Sequence, residues 1–533
     1  MILRKWSWFL LVLSAVQTRA AEPLKTPVGE IQGSLVIAGG GNLPDAIRDR
    51  FIELAGGKQA KIVVIPTASA SADGADADKA LEPWRKKEVA SVVLFHTRKK
   101  AEANDPNFLK ALTEATGVWL GGGDQSKLVE AYRGTAVEKE LHSLLKRGGV
   151  IGGTSAGAAV MSKVMIASGN PKAIVGEGFG FLPGAVIDQH FVKRERQERL
   201  IGVLKDHPGL FGLGIDEETA VVVTRGREMK VIGDAQVVVL QSPGGGKLAS
   251  NHTLKAGQVV DLIAQSRSAV ARTQPAFPPE KPAIPNVAKG ALIIGGGGGL
   301  DNAVWKKFID LAGGPDALII VIPTANPDPL PKEPSEQKAL VKAGAKNVKV
   351  LHTRSKAEAN TAEFVAPIQQ AKGVWFSGGR QWRFVDSYEG TAAEKAFHEV
   401  LARGGVIGGS SAGASIQSEY MPRGDPLGNL NIIAEGYERG FGFVKGVAVD
   451  QHFFARKRTE DMTELMTRYP QLLGIGIDEG TIILVQGSTM EVIGKSKVAV
   501  YDRRKVVKPG EKDYEELPAG AKYDLVERKR IGK

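Results

Sequence analysis

The stretch Val150-Ile151-Gly152-Gly153-Thr154-Ser155-Ala156-Gly157 decides how this chain is read, because Val406-Ile407-Gly408-Gly409-Ser410-Ser411-Ala412-Gly413 repeats it. In both, a short apolar run leads into a serine flanked by glycines, and small residues suited to starting a helix follow. Strand, glycine-flanked serine and helix together are the setting of a nucleophile elbow. Glycine allows the sharp turn that a Cβ would block, so the hydroxyl is held out from the backbone.

Outward from the two serines, the whole chain proves to be written twice. Leu35-Val-Ile-Ala-Gly-Gly-Gly41 returns as Leu292-Ile-Ile-Gly-Gly-Gly-Gly298, and Ile62-Val-Val-Ile-Pro-Thr-Ala68 as Ile319-Ile-Val-Ile-Pro-Thr-Ala325. His96 and His352, each before Thr-Arg, lie 256 positions apart, as do the serines, whereas His190 and His452 lie 262 apart. The second copy has therefore gained six residues between serine and histidine, which the Gly/Pro/Asn-rich composition places around Met421 to Leu430 as a longer loop. The expected organisation is a signal peptide over 1–20, one domain over 30–265, a Pro-rich semi-extended linker over 266–289 and a second domain over 290–533.

Each copy alternates apolar β-branched runs with helix-period segments such as Pro44 to Gly56 and Thr135 to Lys146. Continuous rather than alternating apolar strands point to a parallel sheet buried on both faces. The fold expected is α/β: two tandem doubly wound, mostly parallel-sheet domains with ligands at the carboxyl ends of the strands. A C-terminal β-hairpin is expected in each, turning at Gly233 and at Gly494.

Composition narrows the chemistry. With no cysteine among 533 residues, disulfides, thiolate catalysis and Cys-ligated metal are excluded. Arg4 and Lys5, the apolar Trp8 to Val16 and the exit Thr18-Arg19-Ala20 read as an export signal, too short to span a bilayer. A secreted or periplasmic protein without a stable membrane anchor is expected. The net charge of +11 is spread along the chain, without the aromatic-basic interleaving of single-strand binders, so nucleic acid is not an expected partner. The densest basic run, Arg528-Lys529-Arg530, reads as a solvated tail. The glycine runs at Gly39 and Gly295 lack the P-loop lysine and the acidic partner of a dinucleotide site, and read as packing turns. No H-E-x-x-H occurs, and neither metal nor other cofactor is expected.

An activated serine needs a base, and the base needs a carboxylate to hold its tautomer. His190 and His452 end Asp-Gln-His-Phe runs after apolar strands. The third strand end of each copy, Gly-Ile-Asp-Glu, supplies Asp216 and Glu217 or Asp478 and Glu479. Adjacent residues of an extended chain point to opposite faces, so one carboxylate of each pair can face the site, and spacing alone leaves open which. The amides of Ala156 and Ala412, with those of Gly122, Gly123, Gly378 and Gly379, are candidate oxyanion donors. His142 and His398 fall within a helix pattern and read as structural, while His96 and His352 could be either structural or functional. The order serine, histidine, acid differs from that of the α/β-hydrolases.

Gly-Gly-Thr-Ser-Ala-Gly-Ala, Asp-Gln-His-Phe and Gly-Ile-Asp-Glu in this order resemble the cyanophycinases, in the serine peptidase group that includes aspartyl dipeptidase. The resemblance covers nearly the full length of each copy. It implies a class I glutamine-amidotransferase-like fold and hydrolysis of cyanophycin, a poly-aspartate bearing arginine, to β-aspartyl-arginine dipeptides. It selects Ser155, His190 and Glu217 as one triad and Ser411, His452 and Glu479 as the other. It further implies a substrate pocket of Gln125, Asp188, Gln189, Arg194, Arg196 and Arg199, in which guanidinium groups clamp carboxylates. The second copy keeps Gln381, Asp450, Gln451, Arg456 and Arg458, but has Asp461 for the third arginine and Arg380 for Asp124. The first site is therefore expected to be complete and the second altered or weakened. Because single-copy members pair, an internal pseudo-dimer of the two domains is also expected. The competing expectations are a peptidase for short aspartyl or isoaspartyl peptides and a polymer-binding protein with relic sites.

Overall fold

The computed structural model describes residues 32–508 and 510–532; the expected signal peptide lies outside them. The first domain is built on an eight-stranded sheet. From one edge its strands are Val259–Asp261, Glu228–Gly233, Thr219–Thr224, Ser34–Ala38, Val150–Thr154, Gly117–Leu120, Lys61–Ile65 and Ser91–Leu94. The last five run parallel to one another and the first three antiparallel. Helices cover both faces. Asp45–Leu54 buries Ile47, Phe51 and Ile52 on one side, and Ala136–Lys146 buries Val137, Leu141, Leu144 and Leu145 on the other, as their apolar spacing requires. A second, four-stranded sheet contains Ala185–Gln189 parallel to Phe211–Ile215. These two strands deliver the Asp-Gln-His and Ile-Asp-Glu ends to the same edge.

The second domain repeats the plan in a nine-stranded and a five-stranded sheet, with Val406–Ser410 beside Val287–Gly295 and Val444–Gln451 parallel to Leu473–Ile477. No helix among the described residues is long and apolar enough to cross a membrane.

Three expectations are revised. Gly233 is not a hairpin turn. Glu228–Gly233 pairs with Thr219–Thr224 in the large sheet, whereas Gln236–Gln241 pairs with Phe211–Ile215 in the small one. The chain crosses between sheets at Gly233, as it does at Gly494, and hairpins lie on either side of the crossing, Thr219–Thr224 with Glu228–Gly233 before it and Gln236–Gln241 with Ser250–Lys255 after it. The stretch expected as a linker begins inside a helix, Leu262–Arg272, that Asp261 caps through the amide of Ala264. The basic C-terminal run is no free tail: Lys529–Ile531 pairs with Lys522–Asp524, and Arg528 and Arg530 reach Asp502 and Glu515.

The Leu262–Arg272 helix joins the halves. Arg267, 1% exposed, donates to Glu389 at 2.6 and 3.1 Å and to the carbonyl of Gly436 at 2.6 Å. Arg272 reaches Glu435 at 3.0 Å. Arg227 reaches Asp386 at 2.6 Å and lies over the Trp382 ring. Burial by itself would lower the Arg267 guanidinium, but Glu389 outweighs it and holds the group above its ordinary value. Burial likewise raises Glu389, and Arg267 brings it below the usual carboxylate range. The contact joins unlike surfaces, since after Asp524 the second domain continues in a strand where the first has this helix. A two-fold dimer would instead share one surface. Glu389→Ala would leave a buried guanidinium without its anion, and is expected to destabilise the chain by about 3 kcal/mol. Urea unfolding should then separate into two transitions, and a curve superimposable on the wild type would refute this reading of the interface.

Candidate functional site

Ser155 stands between the strand Val150–Thr154 and the short helix Ala156–Ala159 with φ 51° and ψ −111°, and Ser411 repeats this at φ 56° and ψ −115°. A serine rarely adopts such a backbone, and the surrounding structure must over-determine it. Part of the reason lies in Gly153 and Gly157. A Cβ on Gly153 would run into the carbonyl of Gly157, and one on Gly157 into that of Leu120. The elbow is thus packed backbone to backbone.

His190 Nε2 lies 2.8 Å from Ser155 Oγ, and its Nδ1 lies 2.7 Å from Glu217 Oε1. In the second domain, His452 is 2.9 Å from Ser411 and 2.6 Å from Glu479. In both pairs of acidic residues the glutamate faces the imidazole. The aspartate braces the chain after the histidine instead. Asp216 accepts the amide of Lys193 at 3.0 Å, and Asp478 accepts those of Phe454 and Ala455.

The glycine runs after the first strand of each domain form the floor beneath this chain. A Cβ on Gly40, at φ 115°, would come within 2.3 Å of His190 Cε1 and clash with the ring, and one on Gly41 would lie 2.9 Å from Glu217 Cβ. Gly297 and Gly298 stand in the same relation to His452 and Glu479. The carbonyl of Gly39 also accepts the amide of His190 at 2.9 Å. The packing-turn reading of these glycines missed what they pack against.

Gly122 faces the elbow: a Cβ there would lie 3.5 Å from Ser155 Cβ, and one on Gly378 would lie 3.4 Å from Ser411 Cβ. Neighbouring Gly121 and Asp124 donate to the carbonyls of Ile65 and Ala68, whereas the amides of Gly122 and Gly123 have no backbone acceptor among the described residues. Ala156 begins a helix, so its amide has no partner within it.

Burial lowers the pKa of His190 below the imidazole value of 6.5; Glu217 pulls the other way, and Arg194 and Arg196 add to the depression. His452 is lowered for the same first cause, with Arg456 and Arg458 beside it. A base must be neutral to take a proton, and a depressed pKa keeps it neutral to lower pH. The acid limb of kcat/KM should accordingly reach half its maximum below pH 6.5. A midpoint above that value would contradict the depressed imidazole.

The remaining pocket residues divide by burial. Arg194 and Arg456 are exposed, next to the histidines they follow. Arg196 donates to the Gln189 carbonyl at 2.6 Å, and burial lowers its pKa to about 10. Asp188 is fully buried and paired with Arg199. Gln125 Nε2 is turned to the carbonyls of Ile166 and Ala167. Gln189 Oε1 and Arg196 Nε are buried without a hydrogen-bond partner. In the second domain Arg458 donates to the carbonyl of Gln451 at 2.7 Å and to its Oε1 at 3.2 Å. His96 binds Thr67 at 2.8 Å and Asp73 at 2.9 Å, away from the triad, and His142 binds the carbonyl of Phe179.

Hydroxyl, imidazole and carboxylate stand in hydrogen-bond sequence in each domain, the order that activation of a serine requires, and the chain is a serine-type peptidase. It belongs to peptidase family S51, whose model matches residues 35–232 and again 291–493. A cyanophycinase of Geminocystis herdmanii is 33% identical over 202 residues, which cover 36% of this chain and 74% of the relative. One of Thermosynechococcus vestitus is 35% identical over 219 residues, covering 39% and 67%. Among solved structures, a peptidase from an acI-B1 actinobacterium aligns with 44% of this chain and 98% of its own, at 24% identity and a TM-score of 0.37.

Proposed function

We propose that this protein is an exported cyanophycin-degrading peptidase that works through two Ser-His-Glu triads and releases β-aspartyl-arginine dipeptides. The observation that carries the reading is the unbroken hydrogen-bond chain Glu217–His190–Ser155 and its repeat Glu479–His452–Ser411. His190 takes the proton as Ser155 Oγ attacks the substrate carbonyl, and Glu217 stabilises the imidazolium that forms. The tetrahedral oxyanion is received by the amide of Ala156 and by that of Gly122 or Gly123. Collapse expels the leaving amine, which takes the proton back from His190, and leaves an acyl-serine. Water, deprotonated by the same imidazole, then releases the product. The second domain runs the same steps with Ser411, His452, Glu479, Ala412 and Gly378 or Gly379.

For the substrate, the exposed Arg194 is the guanidinium free to meet a carboxylate of an aspartyl chain, and Arg456 is its counterpart. The open valences of Gln189 Oε1 and Arg196 Nε are what a polar ligand would satisfy, because buried polar groups normally find partners. Arg199, being engaged with Asp188, acts by holding the pocket wall. Gln125 and Gln381 likewise act on the wall, through the carbonyls they bind. The proposal is tested by incubating the purified protein with insoluble cyanophycin and identifying the soluble product by mass spectrometry. Release of β-aspartyl-arginine is the expected result. Intact polymer together with turnover of short isoaspartyl peptides would replace it with the small-peptide reading.

A further inference from the structure

The second domain departs from the first in three ways: Asp461 for Arg199, Arg380 for Asp124, and six extra residues before the histidine. The structure gives them one cause. Asp188 is held by Arg199, from the helix Gln197–Asp206, with Nε 2.9 Å from Oδ2 and Nη2 on Oδ1. Asp450, its counterpart and also fully buried, is held instead by Arg423, whose Nε lies 3.0 and 3.1 Å from the two carboxylate oxygens, with Arg458 Nη1 adding a bond of 3.1 Å to Oδ1. Arg423 is not on the corresponding helix, Thr459–Arg468. It occupies the place of Ala167, as the two glutamines establish. Gln125 Nε2 donates to the carbonyls of Ile166 and Ala167, and Gln381 Nε2 to those of Pro422 and Arg423 at 2.7 and 2.8 Å.

The helix position that lost its arginine now carries the opposite charge, and Asp461 accepts Arg423 Nη2 at 2.5 Å. Arg423 Nη1 turns back to the carbonyls of Asn429 and Leu430 at 3.1 and 2.9 Å. Arg380 donates to those of Asp425 and Gly428. The inserted segment is thus fastened at one end by the arginine that neutralises Asp450 and at the other by the residue that follows Gly379.

We infer that Arg423 is the second site's replacement for Arg199, a positioning residue that neutralises Asp450 and clamps the inserted loop 424–431 beside the substrate pocket. Arginine and partner have exchanged elements: Ala167 with Arg199 in one domain, Arg423 with Asp461 in the other. The second site is therefore rebuilt rather than decayed. Without Arg423, Asp461 loses its partner and Asp450 is left to Arg458 alone, and an arginine at 461 facing Arg423 would set two guanidinium groups against each other, so each half of the exchange is harmful without the other.

The inference rests on the peptidase reading above, and its test uses the full chain carrying Ser155→Ala, so that only the second site turns over. Arg423→Ala and Asp461→Arg are each expected to raise KM for cyanophycin about tenfold with kcat little changed. The double variant, which rebuilds the first domain's Ala/Arg arrangement, should recover to within about threefold of the parent, a reversal of sign that independent sites do not show. Amide exchange over 424–431 should rise in each single variant and fall again in the double. The labelling rate of Ser411 by a fluorophosphonate should stay constant throughout, because Arg423 does not touch the triad. A silent Arg423→Ala, a double variant no better than the worse single, or loss of Ser411 labelling in Arg423→Ala would overturn the inference. If the parent turns over no substrate, the activity reading falls, and the exchange pattern alone still decides the role of Arg423.

Discussion

Substituting Ser155 and Ser411 together by alanine is expected to lower hydrolysis by roughly 10⁵-fold or more, since members of a triad act as a unit. The single variants separate the sites. Ser155→Ala should remove the larger share of activity on the polymer, because the first domain leaves Gln189 Oε1 and Arg196 Nε open to ligand, whereas Gln451 Oε1 is already filled by Arg458. Ser411→Ala should remove the smaller share. Initial rates on cyanophycin with the three variants measure this directly. A Ser155→Ala chain as fast as the wild type would reverse the ranking.

Glu217→Gln, in a Ser411→Ala chain, is expected to lower kcat by on the order of 10³- to 10⁴-fold. An amide in place of the carboxylate neither fixes the required tautomer nor stabilises the imidazolium. The adjacent Asp216→Asn is expected to cost less than about tenfold, because Asp216 accepts a backbone amide at 3.0 Å and an asparagine oxygen can do the same. Equal losses for the two substitutions would contradict the assignment of the glutamate as the partner of His190.

Much of this arrangement can be read from the residues. The repeat is visible because both copies kept their strand ends, and strand ends are where an α/β sheet places its ligands. Ser155, His190 and the Asp-Glu pair each end an apolar strand, and the three ends meet where the large sheet and the small one adjoin. Which acid of the pair faces inward depends on the pleat of one strand. The helix expected over Pro44 to Gly56 forms at Asp45–Leu54 because its apolar spacing has one solution.

What escaped the sequence depends on contacts between distant segments. Gly233 looks like a turn between two β-branched runs, yet each run finds a better partner elsewhere, in Thr219–Thr224 and in Phe211–Ile215. The helix Leu262–Arg272 is masked by the prolines that follow it, and its arginines matter only once Glu389 and Glu435 are opposite them. Gly40 is informative only when the His190 ring is seen lying on it. Arg423 carried a signal that a residue-by-residue comparison hides. An arginine lost at 461 and one gained at 423 look unrelated until both are found around Asp450.

Under the proposed function both Ser155 and Ser411 are assembled nucleophiles. Reaction of the intact chain with a fluorophosphonate, followed by intact mass and peptide mapping, tests this. Two adducts are predicted, on Ser155 and on Ser411, with one lost in each single alanine variant and both in the double. A chain that takes up no adduct, or takes it up at neither of these residues, would contradict the claim.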